Sequence, residues 1–445
     1  MTAMKRTILL MATLLAVALP GLRAAGTDDT WPDGTPIDPW FSDTTRIDVK
    51  TLGRRYVVTK YGVRKDSTLL QTEALQAVID RAAAEGGGVV VIPKGVFLSG
   101  SLFFRPGTHL HLEKGARLKG SDAIKHFPLV DTRIEGRTIK YFAALVNADG
   151  IDGFTITGPG TIDGNGRRYW EEFWLRRAFN PNCTNLDAMR PRLVYLSNCR
   201  NVQVQDVHLV NSPFWTNHLY RCERVKYIGC YIYAPHEPAG ASAPSSDAID
   251  LDVCRDILVH GCRISVNDDA VVVKGGKGTW ADKNPDNGPT SNVLIQQCIY
   301  GFVHACLTCG SESIHDWNIV LRDSRIDKAM RVLYLKMRPD TPQHYEHIRV
   351  ERLTGNCNEF MGIFPWTQFY QMEDRPDMPL SQAHDITVRD IRMKCGRFFH
   401  VEPSDKYHLH RFHFENIDVE NGGDFNPSWI EGTTLRNVRV GGKEY

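Results

Sequence analysis

Apolar residues in this chain alternate with polar ones in short bursts. The recurring unit is a small or polar residue, then Val/Ile-x-Val/Ile, a polar turn, and one more apolar residue. It reads clearly in Asn201-Val202-Gln203-Val204, Arg224-Val225-Lys226-Tyr227-Ile228, Asp256-Ile257-Leu258-Val259 and Asn292-Val293-Leu294-Ile295. It returns in His347-Ile348-Arg349-Val350, Asp385-Ile386-Thr387-Val388 and Leu435-Arg436-Asn437-Val438. A period of two predicts strands, and spacings of roughly 23–38 residues fit a constant unit carrying loops of varied length. Helical periodicity appears once, in Leu75, Val78, Ile79, Ala82 and Ala83, ended by Gly86, Gly87 and Gly88. A strand is expected at 89–92, stopped by Pro93, and no second helix of comparable quality downstream. Segments 170–191, 280–289 and 366–379, rich in Pro, Asn, Asp or aromatic residues, are expected to be loops.

Strands repeating without intervening helices exclude a βαβ barrel. Repetition over some 300 residues, without Asn-Gly hairpin signals, disfavours an antiparallel sandwich. The expected fold is all-β, a right-handed parallel β-helix whose N-terminal helix caps the open end of the solenoid. The length agrees. The 445 residues exceed the roughly 250–300 at which a single globular core stops growing, whereas a solenoid extends along one axis.

The first 25 residues read as an export signal. Lys5 and Arg6 precede an apolar run over 7–22, and small residues Ala24 and Ala25 follow. Residues 26–445 are then a single β-helix catalytic domain, periplasmic or secreted, with no membrane span once the signal is removed. An uncleaved anchor is the alternative. The 53 Lys and Arg balance 52 Asp and Glu, so no basic footprint for nucleic acid exists. Cysteines number eleven, an odd count. Cys222 and Cys230 are spaced like Cys254 and Cys262, as equivalent inward positions on successive repeats would be, where thiols act as small hydrophobes. No bridge can be assigned, and no cofactor signature is present.

The chemistry concentrates in two segments. Asp247 lies in Ser245-Ser246-Asp247-Ala248-Ile249-Asp250, and Asp268 and Asp269 open Asp268-Asp269-Ala270-Val271-Val272-Val273-Lys274. About 21 residues make one short turn of a β-helix, which places Asp247 one rung, about 4.8 Å, below the pair. Three carboxylates so close cannot all ionise freely. One becomes an acid and the others activate water, the division of labour in glycoside hydrolysis. The plainer reading is a structural aspartate ladder, and Asp250 and Asp252 lie on the same strand. His304, within Val303-His304-Ala305, and Lys336, within Tyr334-Leu335-Lys336, can face this patch from later rungs. Lys274, Arg331 and Lys336 suit a carboxylated sugar as cations. Trp366, Phe369 and Tyr370 are candidates for stacking on sugar rings.

This ordered series resembles glycoside hydrolase family 28, the polygalacturonases, and its exo-acting bacterial members in particular. The likeness extends to Tyr61-Gly62-Val63, to Gly86-Gly87-Gly88-Val89-Val90-Val91-Ile92-Pro93, to Gly158-Pro159-Gly160-Thr161-Ile162-Asp163-Gly164 and to Asn211-Ser212-Pro213-Phe214-Trp215. It covers nearly the whole chain after the signal. The resemblance implies an inverting hydrolase of α-galacturonosyl linkages in pectic material, with no cofactor. Asp268 is then the general acid, Asp247 and Asp269 activate water, and His304 and Lys336 match the family's histidine and lysine. Inversion sits awkwardly with one-rung stacking, because opposed inverting carboxylates stand roughly 6.5–9.5 Å apart. Water held at one side of the ring need not obey a rule built on opposed pairs.

The chain also departs from the family pattern. Ser245 and Ser246 replace Asn and Thr, and Val303 and Ala305 replace two glycines. Tyr334 stands where the family carries an arginine for the galacturonate carboxylate, which calls plain polygalacturonan into question. Arg331 or Arg338 could substitute. Two other readings stay open. One is a β-helix polysaccharide lyase with Ca²⁺ on the aspartates; the other is a non-catalytic carbohydrate-binding solenoid.

Overall fold

The structure is a computed structural model describing residues 29–238 and 240–445. The export signal expected in 1–25 lies outside the described residues. Successive strands stack in parallel, each on the strand one turn later. Arg200–Gln205 pairs with Glu223–Ile228, that with Arg255–His260, and that in turn with Thr290–Gln296. Beyond residue 299 the strands run long and bend without a break: Ile299–Cys309, His315–Met337, His344–Pro365 and Ser381–Val401. The architecture is the expected right-handed parallel β-helix, the hand that parallel crossovers adopt.

The first polar residue of the motif has a geometric task. Asn201, Arg224, Asp256, Asn292, His347 and Asp385 sit at φ between 51° and 59°. This left-handed kink lets the chain turn a corner between faces of the helix, and short polar side chains tolerate it best. Asn292 also donates its amide to Asp256 one turn below, at 2.9 Å, so the corners are laced to one another.

Inside the solenoid, like stacks on like. Cys222 lies opposite Cys254, and Cys230 opposite Cys262, by strand register. All eleven cysteines are buried and none is bridged. Several thiols donate to backbone carbonyls of the preceding turn, as Cys222 does to Leu196 and Cys254 to Leu219.

Helix α1 (Thr72–Ala84) buries Leu75, Val78, Ile79 and Ala82 at the N-terminal end of the solenoid, as its periodicity predicts. One expectation fails. Segment 170–191 is not a loop throughout, because a second helix, α2 (Arg167–Phe179), occupies much of it. Its buried residues are aromatic, Tyr169, Trp170 and Phe173, and charged residues surround them, so no apolar stripe marks it. Trp170 anchors it by donating its indole N–H to the Ser212 carbonyl at 3.0 Å. The N-terminal segment runs along the outside, where Trp31 and Phe41 cover Leu258, Leu294 and Val320. Among the described residues no helix is long and apolar enough to cross a membrane.

Candidate active site

Asp247 enters through a tight corner. Ser246 Oγ donates to the Ala243 carbonyl and accepts from the Asn267 amide. Asn267 donates its side-chain amide to the same carbonyl at 3.0 Å. This corner feeds strand Ile249–Asp252, on which Ile249 faces Val271 of the next turn. The Ala248 amide bonds to the Asp269 carbonyl at 3.0 Å, so Asp247 stacks beneath Asp269. Carboxylate oxygens of Asp247, Asp268 and Asp269 all lie within 4.8 Å of one another. The one-rung spacing reads correctly from the sequence.

The next turns supply the cations. Val271 pairs with Leu307, and the His304 amide donates to the Asp268 carbonyl. That register sets His304 Nδ1 3.5 Å from Asp268 Oδ1. One turn on, Cys309 pairs with Leu335, and Lys336 Nζ reaches Asp269 Oδ2 at 2.7 Å. Lys274 lies deeper. Its ammonium sits 3.0 Å from Glu312, 3.4 Å from Asp250 and over the Trp215 ring. The two aspartates that could confuse the assignment are thereby explained. Asp250 partners Lys274, and Asp252 is fully buried against Arg133 at 3.0 Å.

Burial and neighbouring charge divide the carboxylates. Burial, then the charges of Asp268 and Asp250, push the Asp247 carboxyl well up. For Asp268 burial acts in the same direction, but the contact with His304 and the Lys336 charge outweigh it and hold the group below the usual carboxylate range. His304 moves the opposite way: burial would lower it, yet Asp268 and Asp269 raise it above the ordinary imidazole value. Asp250 is pushed up to about 7, by burial that Lys274 only partly offsets. Burial and like charge thus favour the neutral form of Asp247, while the Asp268–His304 contact favours the charged form of each partner.

The aspartates lie in a cleft of about 340 Å³ walled by the longer insertions. Helix α2 contributes Phe173, Trp174 and Arg177, and the loop at 366–379 contributes Trp366, Gln368 and Phe369. Lys277 comes from the loop after Lys274. Arg375 ties two of these loops together. It pairs with Asp282 at 2.9 Å and stacks over Trp280.

Of the expected site residues, Asp247, Asp268, Asp269, His304, Lys274, Arg331, Tyr334, Lys336 and Trp366 line this cleft. Tyr370 does not line it; it is about half exposed on the outer part of its loop. Arg331 is committed to Glu359 at 2.7 Å and lies over the Tyr334 ring. Arg338 is buried against Asp340 at 2.7 Å. Neither suggested stand-in for the missing arginine is therefore a free cation. Tyr334 itself is nearly buried among Phe364, Trp366 and Arg331. Sequence reasoning did not single out Arg177 and Lys277. Both line the cleft, and neither forms an ion pair among the described residues. No local motif marks them, since the helix and loop that carry them are insertions.

The fold and site together define a long parallel β-helix with three carboxylates clustered on one face. The family model for Glycosyl hydrolases family 28 matches residues 89–426, and the chain belongs to that family. Among similar proteins, a probable polygalacturonase of Vitis vinifera is 28% identical over 57% of this chain and 50% of its own length. An endo-polygalacturonase of Pectobacterium carotovorum subsp. carotovorum is 26% identical over 62% of this chain and 67% of its own. The aligned region spans roughly half to two thirds of these curated relatives. Polygalacturonase from Erwinia carotovora superposes with a TM-score of 0.68 at 20% identity, covering 89% of this chain and 99% of that one. The exopolygalacturonase of Thermotoga maritima gives 0.64 at 20%, covering 85% and 88%. At these identities the superpositions establish the fold.

Proposed function

We propose that the protein hydrolyses α-galacturonosyl linkages at a chain end of pectic oligosaccharides, with inversion. The carrying observation is the carboxylate trio within 4.8 Å, flanked by His304 on one side and Lys336 on the other. Asp268 protonates the leaving oxygen, drawing on the proton it shares with His304. Asp269, paired with Lys336, removes a proton from the attacking water. Asp247, kept neutral by burial, donates a hydrogen bond that orients that water. The three groups lie on one face, so they do not flank the sugar as an opposed pair, and the separation rule for such pairs does not decide the stereochemistry.

Several features support a terminal, carboxylated substrate. The cleft of about 340 Å³ is near the lower limit of roughly 300–1,000 Å³ for small-molecule sites. Its walls are insertions. Arg177 and Lys277 offer unpaired positive charge, and Trp366 offers an aromatic face. With Tyr334 in the arginine position, the carboxylate grip falls to Arg177 and Lys277. The chain is proposed to act outside the cytoplasm after removal of residues 1–25.

The test is incubation of the purified protein with galacturonan and rhamnogalacturonan oligosaccharides. New reducing ends, absent with Asp268→Asn, support the proposal. No product from the whole panel contradicts it and favours a scaffold that only binds.

A further inference from the structure

A second cluster of ligating side chains lies round the corner from the cleft, past the turn that follows Lys336. His315, His344 and Glu346 present ring nitrogens and carboxylate oxygens that all lie within 4.8 Å of one another. They come from consecutive turns, His315 facing His344 and Glu346 facing His384 in strand register. His315 Nε2 is 2.9 Å from Glu346 Oε1. His344 Nε2 points straight at His384 Nε2, 2.6 Å away. Glu346 Oε2 lies 3.7 Å from each of those two nitrogens.

Two features distinguish this from a solvated polar patch. Facing nitrogens of two imidazoles share at most one proton, and a cation between them satisfies both lone pairs. Second, His384 is mostly buried, and its far nitrogen, Nδ1, is 2.7 Å from Asp385. Arg411 holds that carboxylate at 2.6 and 2.8 Å. Asp385 lies closer to Nδ1 than the Arg411 Nη2 donor does, 2.7 against 3.1 Å, and a carboxylate on the distal nitrogen favours the tautomer that leaves Nε2 free to ligate, as in most metal-bound histidines. The remaining neighbours are His347, 3.6 Å from Glu346 Oε2, and His410, stacked on His384.

We propose that His315, His344, His384 and Glu346 bind one Zn²⁺, stapling three successive turns of the solenoid. Three imidazoles and one carboxylate make a tetrahedral donor set suited to zinc, with Zn–N of about 2.0–2.1 Å. That geometry sets donor atoms about 3.3 Å apart. To reach it, the His344–His384 pair opens from 2.6 Å by about 0.7 Å and the His315–Glu346 contact from 2.9 Å by about 0.4 Å, while the two 3.7 Å contacts of Glu346 close, through side-chain rotation. The site is independent of the hydrolase reading and takes no part in that chemistry.

The experiment is isothermal titration of the chelator-treated full protein with Zn²⁺ near pH 7.5, followed by thermal melts. The expected result is one equivalent bound, with a melting temperature raised by zinc. His344→Ala and, separately, His315→Ala should abolish stoichiometric uptake and the thermal shift. Asp385→Asn should weaken binding by roughly 10–100-fold. Asp268→Asn should leave it unchanged, which excludes the aspartate trio as the binding site. Retention of the wild-type circular dichroism spectrum shows that a variant is folded, and the half-buried His315 supplies the reading if His344→Ala is not. No saturable uptake by the wild type, equal uptake by the histidine variants, or loss of uptake with Asp268→Asn would overturn the proposal.

Discussion

His304 Nδ1 stands 3.5 Å from Asp268 Oδ1, its own amide bonded to the Asp268 carbonyl one turn below. Each group shifts the other: the carboxyl is held down and the imidazole is held up. A proton lost from this pair is lost to general-acid catalysis. His304 is charged below its raised pKa, which lies above the ordinary 6.5, and neutral above it. The alkaline limb of kcat/KM should therefore fall above pH 6.5 in the wild type. In His304→Ala it should move to lower pH, because Asp268 then holds its proton unaided. An unmoved limb would remove His304 from the proton inventory.

If Asp268 is the acid, its loss must matter most where the leaving group most needs a proton. Asp268→Asn should lower kcat on natural oligosaccharides by roughly 10²–10⁴-fold. An aryl galacturonide with a good leaving group should suffer far less. Equal losses on both substrates would instead point to a positioning or base role.

Much of this site is legible from the chain before any coordinates. The spacing from Asp247 to Asp268 matches one turn, and the valine-rich strand after Asp269 fixes the register, since alternate residues must face the core. His304 and Lys336 follow at the longer intervals of 35 and 32 residues, and are legible by their order in the series rather than by that spacing. The walls of the cleft do not, because insertions obey no repeat. Helix α2 hides for a physical reason. It buries Tyr169, Trp170 and Phe173 on a background of arginine and glutamate, and tertiary contacts such as Trp170 to Ser212 hold it. Arg177, carried on that helix, was unreadable for the same reason. The histidine cluster was equally hidden. His315, His344 and His384 are 29 and 40 residues apart, and only stacking of the turns brings them together.

Arg177 and Lys277 should read the sugar carboxylate. A charge-assisted hydrogen bond contributes about 1.5–3 kcal/mol. Arg177→Ala and Lys277→Ala should each raise KM on oligogalacturonides by roughly 10- to 100-fold, with a smaller change on methyl-esterified ones. Steady-state kinetics on the two substrate sets checks this. Equal effects on both would assign these residues to packing.

Asp252 is a test of the scaffold. It is fully buried between Arg133 and His218, at 3.0 and 3.7 Å. Those neighbours overcome burial and hold its pKa below 3.8. Its contribution is present above the unfolded value and fades as pH falls through the lower folded one. Asp252→Asn leaves Arg133 without its charge partner and should cost about 3–5 kcal/mol at neutral pH, read from denaturant unfolding. The difference from wild type should shrink only below about pH 4.

The central claim is hydrolysis of a galacturonosyl bond by the aspartate trio. Its most direct measurement is the mass of the products from oligogalacturonides digested in ¹⁸O-labelled water, with Asp269→Asn alongside. The account predicts a saturated monosaccharide as the released product, one labelled oxygen gained per bond cut, and no release by the variant. Unsaturated products lighter by one water and free of label would contradict it and assign the site to elimination.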